Sequence, residues 1–182
     1  MSSRLGSCLS IDVGTRNLGY AVIESGVVLD FDLFDIEAEI SSKYKKLAVV
    51  NARVKVIVEF LDLICSKFNV SKIVVEKQNI NNPTAMIIQS IIMTYGELKN
   101  IETISFDPKT KFNISNLLKL NSGFDIETLQ KFTTYNSSKK EHKKNIVTIC
   151  RKILENSELL GKFDEFSKKD DISDAIIQGL LA

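Results

Sequence analysis

Leu9-Ser-Ile-Asp-Val-Gly-Thr-Arg-Asn-Leu-Gly-Tyr-Ala-Val-Ile23 is the stretch on which the fold turns. An apolar strand ends on one carboxylate, Asp12. A tight turn passes through Gly14, and a second apolar run begins at Leu18. Glycine beside a strand-end carboxylate lets a metal ion or phosphate approach the backbone closely. A lone Asp-x-Gly more often just starts a turn. Here a new strand follows at once, so the rest of the chain has to say what Asp12 faces.

Working outward, Leu18 to Glu24 reads as a second strand and Ser25-Gly26 as a two-residue hairpin turn. Val27, Leu29, Phe31 and Leu33 then alternate with Val28, Asp30, Asp32 and Phe34, a period-two third strand. Ser42 to Phe68 is predicted as one long helix, with Leu47, Val50, Val54, Ile57, Leu61, Ile64 and Phe68 as its apolar stripe against a sheet. Lys72-Ile-Val-Val-Glu76 is a short continuous apolar run, as expected of a strand buried on both faces. It too ends on a carboxylate. A Glu at that place is costly unless paired, hydrogen-bonded or metal-bound, which makes Glu76 the natural partner of Asp12.

Pro83 to Leu98 is predicted as a helix with proline in its first turn. Ile88, Ile91, Ile92 and Tyr95 form one apolar face, while Met86, Ile87 and Met93 point elsewhere. A helix apolar nearly all round is buried nearly all round, so Met86, Ile87 and Met93 are the expected interface of a homodimer. Ile101 to Phe106 is the next strand. Lys109 to Ser137 is irregular, with Phe112, Phe124, Phe132 and Tyr135 among polar and basic residues. Such a mixture suits a nucleic-acid loop, where lysines hold phosphates and rings stack on bases; short helices with a core of aromatics fit it equally well. Ser138-Lys-Lys-Glu141 reads as a capping box opening a helix with Ile146, Ile149, Cys150 and Ile153 inward. The lysines of its first turn oppose the helix macrodipole, a conflict that a docked phosphate would relieve. In the last helix Asp170 is the expected cap, and Asp171 and Asp174 share a face three residues apart. Two like charges so placed repel unless a cation sits between them.

Composition narrows the classes. The 182 residues are 44% hydrophobic and 26% charged, with two prolines and eight glycines, which fits one folded domain over 1–182. No apolar run reaches the ~18 residues of a membrane span, and no secretory signal pattern opens the chain. Cys8, Cys65 and Cys150 are far apart and form no Cys-x-x-Cys, which points to thiols in a reducing, intracellular compartment. His142 is the only histidine, so a histidine-rich metal site is excluded. Net charge is +1, but it is unevenly spread. Residues 109–152 hold ten Lys or Arg and three acids, while residues 24–39 hold six acids and no base. A phosphate-binding face opposite an acidic back would have this polarity. Lys109, Lys111, Lys139, Lys140 and Lys143 are its candidate DNA contacts.

Three antiparallel strands, a helix, a strand, a helix, a strand and two helices make up the order of an α/β RNase H-like fold. Its mixed five-stranded sheet has three antiparallel strands, then two parallel ones, with helices on both faces. Carboxylates end the first and fourth strands and open the last helix. Oxygen donors without nitrogen partners suit Mg2+ or Mn2+, and two such ions can serve the attacking and leaving oxygens of a phosphodiester.

Ile11-Asp12-Val13-Gly14, Asn17-Leu18-Gly19-Tyr20, Val75-Glu76-Lys77-Gln78, Lys144-Asn-Ile-Val147 and Asp171-Ile-Ser-Asp174-Ala175 together resemble the RuvC superfamily of Holliday junction resolvases. The viral (poxvirus-like) and mitochondrial branches look closest. The resemblance spans nearly the whole chain. It implies that Asp12, Glu76, Asp171 and Asp174 are catalytic acids holding Mg2+, with Mn2+ able to substitute and two ions per site. It implies that Lys144, or its neighbour Lys143, contacts the scissile phosphate region, and that Lys109 or Lys111 matches a further family lysine. It also implies a homodimer cutting two strands of a four-way DNA junction, in recombination, repair or viral genome processing. The long segment before the basic helix departs from the pattern. Competing readings are an RNA-processing nuclease of the YqgF type, a branched-DNA-binding module without catalysis, and a sugar-kinase/actin-type phosphate binder, which would need a second lobe.

Overall fold

The computed structural model describes residues 6–112 and 139–182 together with Asn116, Leu120 and Leu129. Strands β1 (Ser7–Val13), β2 (Asn17–Glu24) and β3 (Val27–Asp35) open the chain. Helices α1 (Ile36–Lys43) and α2 (Val49–Phe68) follow, then β4 (Val70–Glu76), α3 (Pro83–Lys99) and β5 (Glu102–Phe106). A 3-10 turn at Pro108–Phe112 precedes α4 (Lys139–Ile153), α5 (Leu159–Glu165) and α6 (Lys169–Leu181). The sheet order is β3-β2-β1-β4-β5. β1/β2 and β2/β3 are antiparallel, and β1/β4 and β4/β5 are parallel, as the element order predicts. Ser25 (φ 51°) and Gly26 (φ 79°) both take the left-handed conformation that a two-residue hairpin turn of type I′ requires.

Strand periodicity decides what each face of the sheet carries. Leu9, Ile11 and Val13 on β1 and Ile73 and Val75 on β4 join one core with residues of α1, α2 and α3. The intervening Ser10 and Asp12, and Val74 and Glu76, therefore face the opposite side, because side chains alternate along a strand. That side is covered by α4, α5 and α6, whose Ile146, Ile149, Cys150, Phe163, Ile172 and Ile176 form the second core with Ala21 and Phe31. Both strand-end acids thus point toward α6.

The helix predicted from Ser42 to Phe68 is two helices. Asp35 caps α1 by accepting from the Ala38 N–H at 2.9 Å, and Tyr44 ends it. The Tyr44 hydroxyl donates to Glu59 and Arg53 pairs with Glu37 at 2.7 Å, which folds α1 back onto α2. Only part of the predicted stripe is inward. Ile57, Leu61 and Ile64 are buried with Ala52, Val56 and Phe60, while Leu47, Val50 and Val54 stay exposed. The acids of residues 24–39 do not form a free acidic back. Asp30 pairs with Lys67 and Lys162, Asp35 with Arg16, Glu37 with Arg53 and Glu39 with Lys43. Arg16, Lys43, Arg53, Lys67 and Lys162 thus offset most of that charge. No helix among the described residues is long and apolar enough to cross a membrane.

Candidate active site

Asp12 and Glu76 are neighbours because β1 and β4 run parallel, with Ile11 beside Val75 one residue before each acid. Burial first, then the charge of Glu76, raises the Asp12 carboxyl well above the usual carboxylate range, and the two side chains share a hydrogen bond. Gln78 fixes Glu76 from behind: its side-chain amide donates to the Glu76 carbonyl at 3.2 Å. Gln78 is held in turn by Gln89, which accepts from its N–H at 2.9 Å and donates to the Ser105 hydroxyl at 3.0 Å.

Asp174 arrives from α6. Its helix lies close against β2 because Gly19, the residue beside Asp12 in the sheet, has no side chain to meet the Asp171 backbone. Gln178, one turn beyond Asp174, is fully buried. Its amide donates to the carbonyls of Ile11 and Val74, both at 3.1 Å. Those carbonyls lie one residue before Asp12 and two before Glu76. One side chain therefore ties the helix carrying Asp174 to both strands that carry the other acids.

The centre of the cluster is a lysine. Lys111, only 1% exposed, donates from Nζ to Glu76 Oε2 at 2.7 Å and to Asp174 Oδ1 at 3.0 Å. Burial alone would lower its affinity for the proton; Asp174, Glu76 and Asp12 outweigh that and keep the ammonium charged beyond the ordinary lysine range. Burial likewise raises Asp174, an effect that Lys111 partly offsets. Lys111 is thus not the exposed phosphate contact expected from the charge run. It is a buried partner of the acids.

Asp171 is half-buried at the edge of this group and interacts with Asp170, Lys143 and Asp174. Asp170 is not the cap of α6: Lys168 holds that position without a side-chain bond. Asp170 pairs instead with Lys143 of α4, and so ties the two helices together. This pairing commits Lys143 to a protein partner. Lys144 is exposed and lines a largely basic groove of about 480 Å3 with Lys143, Thr148, Arg151, Lys169 and one acid, Asp170. Lys109 is exposed on the 3-10 turn. Lys139 and Lys140 open α4, but their side chains lie outside the described residues, as do Ser138 of the expected capping box and most of the aromatic-basic segment before it. On α3, Met86 and Ile87 are exposed, whereas Met93 is partly buried against the first core.

Among the described residues no three Asp, Glu, His or Cys side chains are placed to hold a metal ion as they stand. The donor set still fits a hard cation: Asp12, Glu76 and Asp174 offer oxygen alone, and a cation already sits among them. The sequence marks Lys111 only as a DNA contact or a match to a family lysine, not as a buried partner of the acids, and it does not single out Gln178. A lysine two residues from a solvent-exposed lysine carries no local sign of burial, and Gln178 shows itself only as a polar residue among apolar ones on the inner face of α6.

Solved structures share this strand order and orientation. Thermus thermophilus RuvC in complex with a Holliday junction substrate superposes with a TM-score of 0.59 at 12% identity, covering 97% of this chain and 91% of that one. The chain has the RuvC fold. A second Thermus thermophilus RuvC structure gives a TM-score of 0.58 at 14% identity, over 96% of this chain and 92% of the other. The yeast mitochondrial Holliday junction resolvase Ydc2 gives 0.65 at 15% identity, over 97% and 78%. No protein-family model and no curated protein sequence matches the chain. At 12–15% identity the likeness is one of fold.

Proposed function

We propose that this chain is an endonuclease that hydrolyses phosphodiester bonds of branched DNA, four-way junctions above all, with Mg2+ as cofactor. The observation that carries the reading is the gathering of Asp12, Glu76 and Asp174 around one cation, at the strand ends and helix start of a RuvC fold. Asp12, Glu76 and Asp174, with Asp171 beside them, would hold Mg2+ or Mn2+, two ions in the full site. Bound there, the metal would supply Lewis acidity toward the phosphate and a nucleophilic water at neutral pH.

The chain's own residues supply the rest. Gln78 and Gln178 fix Glu76 and the α6 acids before substrate arrives, so no reorganisation is needed during reaction. Lys144, exposed in the basic groove, is the residue we assign to the scissile phosphate region. Lys109, Lys139 and Lys140 are assigned to the flanking backbone, where each contact adds salt-sensitive affinity. We assign residues 1–182 to one nuclease domain that acts as a homodimer. Support for the dimer is an apolar groove of about 670 Å3 between α2 and α3, lined by Val54, Val58, Met86, Ile87, Ile91 and Leu98. A role in recombination, repair or viral genome processing, in a viral or mitochondrial branch of the superfamily and in a reducing compartment, accords with these assignments.

Incubation of the purified protein with labelled four-way junction, flap, duplex and RNA, in Mg2+ and in EDTA, tests the reading. Paired nicks in the junction, dependent on Mg2+, are expected. RNA cut in preference to the junction would transfer the site to RNA processing. Tight junction binding with no cut in any metal would leave a binding module.

A further inference from the structure

We infer that Lys111 is a resident counter-cation, which the metal must displace before the site can be loaded. The inference rests on the metal-dependent reading above and adds a rule for how loading occurs.

Three facts lead to it. The Lys111 side chain is 1% exposed, and its Nζ bonds to Glu76 Oε2 at 2.7 Å and Asp174 Oδ1 at 3.0 Å. These two oxygens belong to two of the acids that would bind metal, and the third, Asp12, also feels the ammonium. Finally, the root of Lys111 is fixed while its head is on a long stem. The 3-10 turn is tied to Asp107 through the Lys109 N–H at 2.9 Å and the Thr110 hydroxyl at 2.7 Å. Beyond that root the lysine has a flexible four-carbon chain.

A dication and an ammonium cannot share this place. They compete for the same oxygen lone pairs, and at contact distance in a partly buried site they repel strongly. Loading is therefore an exchange: the metal enters as the ammonium leaves. In the metal-free chain Lys111 keeps three neighbouring carboxylates from repelling one another, and in the loaded chain the metal takes over that task. The side chain then moves into solvent while its backbone stays in the turn.

Two measurements on the full chain test this. In the first, wild-type protein stripped with EDTA is treated with an amine-acylating reagent as Mn2+ is added, and Lys111 modification is read by mass spectrometry, with exposed Lys109 as internal control. Lys111 is expected to be protected without metal and to react at least about tenfold faster at saturating Mn2+, as a residue freed from a buried ion pair should. In the second, Mn2+ binding to wild type and to Lys111→Gln is measured by calorimetry. Removing a positive charge from the site should tighten Mn2+ binding at least about tenfold. Mn2+ bound by wild type with Lys111 still protected overturns the exchange and leaves the metal reading standing. The same holds if Lys111→Gln binds no more tightly than wild type. Absence of Mn2+ binding by both proteins overturns both ideas together. If Lys111→Gln does not fold, as judged by circular dichroism, the acylation experiment on wild type decides alone.

Discussion

A side chain on Gly19 would place its Cβ 2.5 Å from the main-chain oxygen of Asp171. No real Cβ sits so close to backbone, so either β2 or the first turn of α6 would have to move. Asp171 and Asp174 ride on that turn. Gly19→Ala is therefore expected to destabilise the fold by about 1–3 kcal/mol, as over-packing does. It should also slow junction cleavage more than it weakens junction binding, because a shift of an ångström at the acids is costly to catalysis. Urea unfolding with parallel rate and gel-shift assays checks both. Wild-type stability together with wild-type rate would show that α6 can slide at no cost.

Glu76→Gln and Asp174→Asn keep side-chain size and remove the charge that a metal needs. Each should abolish cleavage and leave junction binding in place, with binding that falls steeply as salt rises because phosphates are its main partners. Cleavage at the wild-type rate by either variant in Mg2+ would remove that acid from the site.

Gln178→Leu keeps the volume but leaves the Ile11 and Val74 carbonyls without their buried donor. A typical buried hydrogen bond contributes about 0.5–1.5 kcal/mol net, so a loss of about 1–3 kcal/mol is expected from the two together. Denaturant midpoints give the stability loss. The melting temperature gained on adding Mn2+ should shrink as well, since the acids lose their common anchor.

Met86 and Ile87 are exposed on α3 and line the apolar groove with Val54 of α2. Light scattering on wild type should report a dimer, and Met86→Glu/Ile87→Glu a monomer, because four carboxylates would face one another across a two-fold axis. A wild-type monomer, or a variant that remains dimeric, counts against this face.

Asp30 gives a pH test away from the site. Burial would raise its carboxyl, but the hydrogen bond and charge of Lys162, the Phe31 N–H and Lys67 hold it below the usual range. A folded value below the unfolded one, about 3.9, means stability that is present above pH 4 and lost as pH falls through the folded value. Asp30→Asn should therefore cost about 1 kcal/mol at pH 7, given the partly exposed pair, and markedly less at an acid pH below the folded value. An equal loss at both pH values would trace the effect to packing.

The sequence by itself determined what is local. Alternation along β1 and β4 put Asp12 and Glu76 on the face opposite Leu9, Ile11, Ile73 and Val75, and a spacing of three put Asp171 and Asp174 on one side of a helix. Ser25-Gly26 set the hairpin through its left-handed backbone. These follow from periods of 2 and 3.6 and from turn chemistry, which neighbouring residues fix. Contacts across long separations were decided by the tertiary structure. Lys111 meets Glu76 from 35 positions away and Asp174 from 63, and nothing within the Lys-Thr-Lys run distinguishes the lysine that goes inside from the one that stays out. Glu37 and Glu59 bend the chain back at Tyr44 through partners 16 and 15 residues away, so a stripe that reads as one continuous helix becomes two. Gln178 reaches two strand carbonyls 167 and 104 residues back. Charge and polarity mark such residues in a sequence. The fold chooses their partners, because a buried charge or amide costs too much to leave unpaired, and only the folded chain brings the partner within reach.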